Sequence, residues 1–212
     1  MLDTILPQSF YARDALVVAR DLLGCVLVRD GVALRITETE AYRHPDDSAN
    51  HCRFGRTPRN APMWGAPGHA YVYVCYGLHA MLNLVTDADG EGAAVLIRAC
   101  EIVDGHAIVR GRRGGVRDEV ALLAGPGKVG AALGLDTRSS GHALFERGGL
   151  EVHEGRVEHV LVGPRVGIDY ARPSDREAPY RFADARSRVV TRRRTLTPLV
   201  RYASTRGHTE PG

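Results

Sequence analysis

The spacing of apolar residues changes from helical to strand-like at Gly24. Leu16, Ala19 and Leu23, with the neighbouring Val17 and Leu22, form one apolar stripe, which predicts a helix over 13–23 that stops at Gly24. Residues 25–29 and 32–41 read as two strands. Asp30-Gly31 between them is a strong two-residue hairpin signal. Residues 69–76 alternate clearly, so Tyr71, Tyr73 and Cys75 are expected on one face and Val72, Val74 and Tyr76 on the other. Gly77 permits a turn, 79–85 returns as a strand, 87–92 is a turn cluster, and 93–99 is a further strand.

The second half predicts helices over 104–112 and 118–133, the latter broken at Gly125-Pro126-Gly127. Short strands are expected at 150–152, 157–162 and 165–168. Together these elements predict an α+β fold: one domain over 1–204 with a curved, mostly antiparallel sheet flanked by helices. Residues 205–212 are expected to be a flexible tail. The stretch 43–68 is polar, contains four prolines, and mixes Arg53, Arg56 and Arg59 with Phe54, Met63 and Trp64. Loops this long in a compact domain are usually functional or disordered, and this composition is unusual for a linker.

Composition narrows the class. The 212 residues are 44% hydrophobic and 25% charged, as in an ordinary soluble globular chain. The net charge of +3 argues only weakly for an acidic partner, but Lys128 is the only lysine, so nearly all the positive charge is guanidinium. Guanidinium suits phosphate and base contacts; a GC-rich genome would also favour arginine. Residues 186–206 hold seven arginines and no acid. Cys25, Cys75 and Cys100 lie in apolar runs and read as reduced core residues, and no cysteine pair has CxxC spacing. A cytoplasmic location is expected. No apolar stretch is long enough to span a membrane.

The candidate chemistry begins at the end of the second strand. Alternation places Glu38 and Glu40 on the face of Leu34 and Ile36. A carboxylate there is either a solvated strand end or a desolvated general base, and the local pattern does not choose. Tyr42, His51, Tyr73 and Tyr76 add aromatic surfaces that suit a flat, electron-poor or cationic ligand; Tyr71 reads as a core residue. His44, His51, Cys52 and His69 match no metal-ligand spacing. Gly125-Pro126-Gly127-Lys128 lacks the spacing of a nucleotide-binding loop; it reads as a helix start, with Lys128 either a phosphate contact or a surface charge.

An ordered set of motifs resembles the alkyladenine (3-methyladenine) DNA glycosylase family. It comprises Glu38-Thr39-Glu40-Ala41-Tyr42, Arg56-Thr57-Pro58-Arg59-Asn60, Tyr71-Val72-Tyr73-Val74-Cys75-Tyr76-Gly77, Met81-Leu82-Asn83, Val95-Leu96-Ile97-Arg98-Ala99, Gly125-Pro126-Gly127-Lys128 and Arg165-Val166-Gly167. The set covers roughly 10–185. Each run alone is weak; their order and spacing are specific. Two departures stand out: Cys52-Arg53-Phe54 replaces a Ser-Arg-Gly type stretch, and Ile97 stands where Leu is usual.

The resemblance implies a monofunctional glycosylase that flips alkylated or deaminated purines out of double-stranded DNA, with a fold like the C-terminal domain of methionyl-tRNA formyltransferase. It implies Glu40 as the water-activating carboxylate and Arg98 beside it. Tyr42, His51 and Tyr73 would sandwich the base, while Asn83 and Leu96 would shape the pocket. Tyr76, on a protruding hairpin, would fill the vacated stack from the minor groove. Arg56, Arg59, Met63 and Lys128 would contact DNA. No cofactor or metal is implied, a monomer is expected, and no lysine stands at the site for a strand-cleaving lyase step. Two rivals remain. A non-catalytic nucleic-acid-binding module would not need Glu40, and a hydrolase of free nucleosides would need neither the arginine-rich loop nor Tyr76.

Overall fold

The computed structural model describes residues 4–199. Its centre is strand β2 (Val32–Tyr42), preceded by helices α1 (Gln8–Tyr11) and α2 (Ala15–Asp21) and strand β1 (Val26–Arg29). β3 (Ala70–Cys75), β4 (His79–Thr86) and β5 (Ala93–Asp104) follow, then helices α3 (His106–Arg112), α4 (Glu119–Leu123) and α5 (Pro126–Ala132). The described part ends with β6 (Glu151–His153), β7 (Val160–Gly163), α6 (Pro173–Glu177), β8 (Arg181–Asp184) and β9 (Thr197–Pro198). The strands form one sheet in the order β3-β4-β5-β2-β8-β7-β9, with β1 paired to β2 and β6. Every one of these pairings is antiparallel.

Most elements lie where the hydrophobic pattern predicts them, and the differences have local causes. The first long helix starts at Ala15 rather than Arg13 because the Asp14 carboxylate caps it, accepting the Leu16 N–H at 2.8 Å. The β1–β2 turn forms at Asp30-Gly31, both with positive φ, as a two-residue hairpin requires. β5 runs on to Asp104, five residues past the predicted end. Residues 165–168 are not a strand: Arg165 is drawn inward by an ion pair, and the backbone turns there. β8 has no sequence signal, because its buried residues include Arg181 and Asp184. Residues 200–212, including the expected tail, lie outside the described part.

One face of the sheet carries the main core. Val18, Ala19 and Leu22 of α2 and Val129 and Ala132 of α5 pack with Leu34, Ile36, Leu82, Leu84, Val95 and Ile97. Each of the valine, leucine and isoleucine side chains contributes about 1.5–3 kcal/mol on burial. α5 lies so close to β4 that a Cβ at Gly130 would meet the Ala80 carbonyl oxygen at 2.0 Å; only glycine fits. The opposite face of β3, β4 and β5 carries a smaller cluster of Met63, Tyr71, Val85 and Ala94, with Tyr42, Trp64 and Tyr73 packed against it.

β2 corrects the expected placement of its acids. Leu34 and Ile36 belong to the main core, and so does Ala41. Thr39 also faces that side, since its hydroxyl donates to the Ala19 carbonyl of α2 at 2.7 Å. Glu38 and Glu40 therefore point to the other face, away from Leu34 and Ile36. The cause is the register shift against β5 between Ile36 and Glu38, which leaves Thr37 as an extra residue in β2; a second shift, between Glu38 and Thr39, leaves an extra residue in β5. An extra residue in a strand inverts the alternation beyond it and re-aims the side chains.

Candidate active site

The second register shift leaves Arg98 of β5 without a β2 partner, because Glu38 pairs with Ala99 and Thr39 with Ile97. The neighbouring pairs form a row across the sheet: Glu40 opposite Leu96, Leu96 opposite Asn83, and Asn83 opposite Tyr71. Directly opposed residues share a face. The row therefore places Glu40, Leu96, Asn83 and Tyr71 together, with Tyr42 and Tyr73 two residues along their strands.

Glu40 is completely buried. Its Oε1 accepts the Val166 N–H at 2.7 Å and lies 3.2 Å from Arg98 Nη1. Its Oε2 accepts the Tyr42 hydroxyl at 2.9 Å. Burial, and then the Glu40 charge, hold the Tyr42 phenol well above its ordinary pKa, so it stays a donor. A carboxylate offers about four lone-pair positions. Two hydrogen bonds and the Arg98 ion pair leave an acceptor position for an additional donor such as water.

Glu38 is also fully buried, but its oxygens are occupied. They accept Arg98 Nε at 3.1 Å, Arg181 Nη1 at 2.9 Å, and both the backbone N–H and hydroxyl of Thr191 at 2.6 Å. Arg98 thus bridges two carboxylates. Burial alone would lower the pKa of its guanidinium, yet Glu40 and then Glu38 raise it above the ordinary value. Glu38, Glu40, Arg98 and Arg181 together carry no net charge, which is how four ionised groups can be buried side by side.

A second buried ion pair supports Tyr42. Arg165 Nη1 and Nη2 donate to the two Asp47 oxygens at 2.5 and 2.7 Å, and Nη1 also donates to the Ala41 carbonyl at 2.9 Å. The guanidinium lies over the Tyr42 ring, 4.7 Å from its centroid. Asp47 and Arg165 are 118 positions apart in sequence, and nothing local reveals their pairing. Arg165-Val166-Gly167 stands out in sequence as a run, yet neither the role of Arg165 nor the Val166 N–H that binds Glu40 is legible there. Arg181 and Thr191 are likewise missed.

The other expected residues divide by exposure. The His51 ring meets Tyr73 edge-on at 4.6 Å between centroids, and its Nδ1 is 3.2 Å from the Tyr71 hydroxyl. Asn83 is buried, its Nδ2 donating to the carbonyls of Tyr71 at 3.2 Å and Met81 at 3.3 Å. Tyr76 is 91% exposed at the tip of the β3–β4 hairpin. There the Leu78 N–H donates to the Cys75 carbonyl, and both Tyr76 and Gly77 have positive φ. This tight turn lifts the ring off the strand face on which alternation would place it. Arg56 and Arg59 are exposed and have no acidic partner among the described residues. Lys128 is half-buried in the first turn of α5. Met63 departs from its expected surface position. It is 3% exposed and packs with Cys52, Tyr71 and Ala94, because the short 3-10 turn Ala61–Trp64 folds it under the loop. Among the described residues, no three His, Cys, Asp or Glu side chains group as metal ligands would.

Burial, then Arg59 and Arg53, hold the His51 pKa below its ordinary 6.5. The folded state therefore favours neutral imidazole. That preference contributes stability above the unfolded pKa and is lost as pH falls through the lower folded value. In thermal melts between about pH 5 and pH 8, wild type is expected to lose stability on the acid side faster than His51→Gln. Parallel curves would remove His51 from the pH response.

The arrangement suits water activation beside a flat ligand. A buried carboxylate shares a sheet face with Tyr42, Tyr71 and Tyr73, the His51 ring packs on Tyr73, and the adjoining loop carries Arg56 and Arg59 without an acidic partner among the described residues. The model of the methylpurine-DNA glycosylase family matches residues 9–188. A protein of Nitrosococcus oceani is 57% identical over 195 residues, covering 92% of this chain and 96% of its own. The "DNA-3-methyladenine glycosylase" of Arabidopsis thaliana is 56% identical over 198 residues, covering 92% of this chain and 78% of its own. A protein of Methanocella arvoryzae is 45% identical over 194 residues, covering 89% and 96%. The names of the first and third also contain the words 3-methyladenine DNA glycosylase. The chain belongs to the methylpurine-DNA glycosylase family.

Proposed function

We propose that this protein is a monofunctional DNA glycosylase of base excision repair that hydrolyses the N-glycosidic bond of alkylated or deaminated purines in double-stranded DNA. One observation carries the reading: Glu40, fully buried, is held by Arg98, the Val166 N–H and the Tyr42 hydroxyl with one acceptor position left. A protein that only binds DNA gains nothing from desolvating a carboxylate in this way.

The proposed reaction starts with phosphate contacts from Arg56 and Arg59, with Lys128 at the start of α5 as a further contact. The damaged nucleotide leaves the stack, and Tyr76 takes its place in the duplex. The base enters among Tyr42, His51 and Tyr73. Neutral aromatic faces attract a cationic alkylated purine, and the lowered His51 pKa removes a competing positive charge. The Asn83 amide, fixed by its two backbone acceptors, suits steric rejection of a guanine amino group. Leu96 closes the apolar side.

In the chemical step, water held by Glu40 attacks the anomeric carbon. Its oxygen forms a bond to that carbon, its proton passes to Glu40, and the carbon–nitrogen electron pair leaves with the base. An alkylated cationic base departs neutral; a neutral base such as hypoxanthine takes up a proton as it leaves. The Glu40 charge stabilises the oxocarbenium-like sugar. Lys128, the only lysine, sits on α5 rather than in the Glu40 cluster, so hydrolysis is not followed by Schiff-base strand cleavage.

The test uses duplex oligonucleotides bearing one hypoxanthine or one ethenoadenine, and alkylated plasmid DNA, with EDTA present. Release of at least one of these bases, leaving an intact abasic strand, is the expected outcome. DNA binding without release of any of them would leave only a binding module.

A further inference from the structure

The segment that follows β8 reaches the buried charges Glu38 and Arg98 from beyond the region matched by the family model, which ends at residue 188. Thr37 Oγ1 donates to the Val189 carbonyl at 2.6 Å, and Arg181 Nη1 donates to the Thr191 carbonyl at 2.8 Å. Leu196 anchors the far end in a small apolar cluster with Leu161 and Ala183. Between these anchors the backbone at Arg192 adopts a left-handed conformation, φ 42°. A non-glycine residue holds that geometry only where its surroundings dictate it. Here they seat Thr191 against the buried charges.

A hydroxyl carries one hydrogen and two lone pairs. Thr191 Oγ1 lies 2.6 Å from Glu38 Oε1 and 3.2 Å from Arg98 Nη2. Its hydrogen must go to the carboxylate, and its lone pair must receive the guanidinium N–H. Arg98 is then held at three nitrogens: Nε and Nη2 by hydrogen bonds to Glu38 and Thr191, and Nη1 by its ion pair with Glu40. The Thr191 contact adds a third point to the two carboxylates and so fixes the guanidinium plane.

We propose that Thr191 is a positioning residue for the reaction, fixing Arg98 relative to Glu40, with Glu38 as the buried counter-charge through which it acts. This rests on the glycosylase reading above. It differs from a packing role because it depends on one hydroxyl rather than on the volume of the side chain. Thr191→Val keeps the volume and removes the hydroxyl, whereas Thr191→Ser keeps the hydroxyl and removes a methyl group.

The experiment compares wild type, Thr191→Val and Thr191→Ser. Each is assayed for single-turnover base release at saturating enzyme, for Kd on a duplex carrying a stable abasic-site analogue, and for thermal midpoint. The expected result is a loss of about ten-fold to a hundred-fold in the release rate of Thr191→Val, the scale of a small misplacement at a reacting centre. Its DNA affinity stays unchanged, and Thr191→Ser recovers most of the rate. A folded Thr191→Val that releases base at the wild-type rate overturns the inference. So does a variant pair in which rate, affinity and melting point fall together and serine does not rescue. If wild type itself releases no base, the glycosylase reading fails first, and this inference falls with it.

Discussion

Glu40→Gln is expected to abolish base release while the protein still folds and binds damaged duplex DNA. A positioned general base contributes about 10²- to 10⁴-fold, and the lost negative charge removes electrostatic stabilisation of the sugar cation besides. Glutamine keeps the shape: its carbonyl oxygen can accept the Val166 N–H in place of Oε1, and its NH2, standing where Oε2 was, can donate to the Tyr42 hydroxyl once that hydroxyl rotates. It leaves Arg98 paired with Glu38, whose Oε1 is 3.1 Å from Nε, so the buried guanidinium is not orphaned. Single-turnover excision and a gel-shift titration on the same substrate measure the two halves separately. A Glu40→Gln enzyme that excises at the wild-type rate would exclude Glu40 as the water-activating group. One that neither binds nor melts cooperatively would show the residue to be structural.

Asp47→Ala is expected to be the most damaging substitution outside the carboxylate pair. It strips the Arg165 guanidinium of both its carboxylate bonds in a position where the side chain is completely buried. Breaking a buried ion pair from one side costs about 3–5 kcal/mol. For a chain of this size that corresponds to a drop of roughly 6–20 °C in Tm. The backbone N–H groups of Arg43 and Ala49 lose their acceptor too. Because Arg165 lies over the Tyr42 ring and Tyr42 donates to Glu40, excision should fall in the surviving folded fraction as well. Thermal melts followed by excision well below the midpoint separate these effects. An unchanged Tm would mean that Arg165 finds another acceptor or reaches water.

The methylpurine-DNA glycosylase motifs stand in the chain as ordered runs, so the acid, the aromatic residues and the hairpin residue can be named before any coordinates. Their surroundings cannot be named in the same way. Glu40 also reads as a solvated strand end, and its desolvation comes from β5, β8 and the 165–166 turn, which approach from 56 to 141 positions away. Met63 shows the same limit from the other side: an apolar residue in an arginine-rich loop looks like a surface contact, and only the packing of the 3-10 turn under Tyr71 and Ala94 buries it.

Periodicity and turn chemistry are local, so the sequence by itself determined the strands and helices with clean apolar patterns, the Asp30-Gly31 turn, a turn at Gly77, and the identity of the candidate residues. Alternation fails where an extra residue enters a ladder. That event depends on the partner strand and is invisible in β2 alone, so the face on which Glu38 and Glu40 lie was decided by tertiary structure. The same holds for β8, whose buried arginine and aspartate mask it as a polar loop until Glu38 and Arg35 supply their counter-charges. Burying a charge is favourable only with a partner in place. The partners here are long-range contacts, so the electrostatic half of the site exists only in the folded chain.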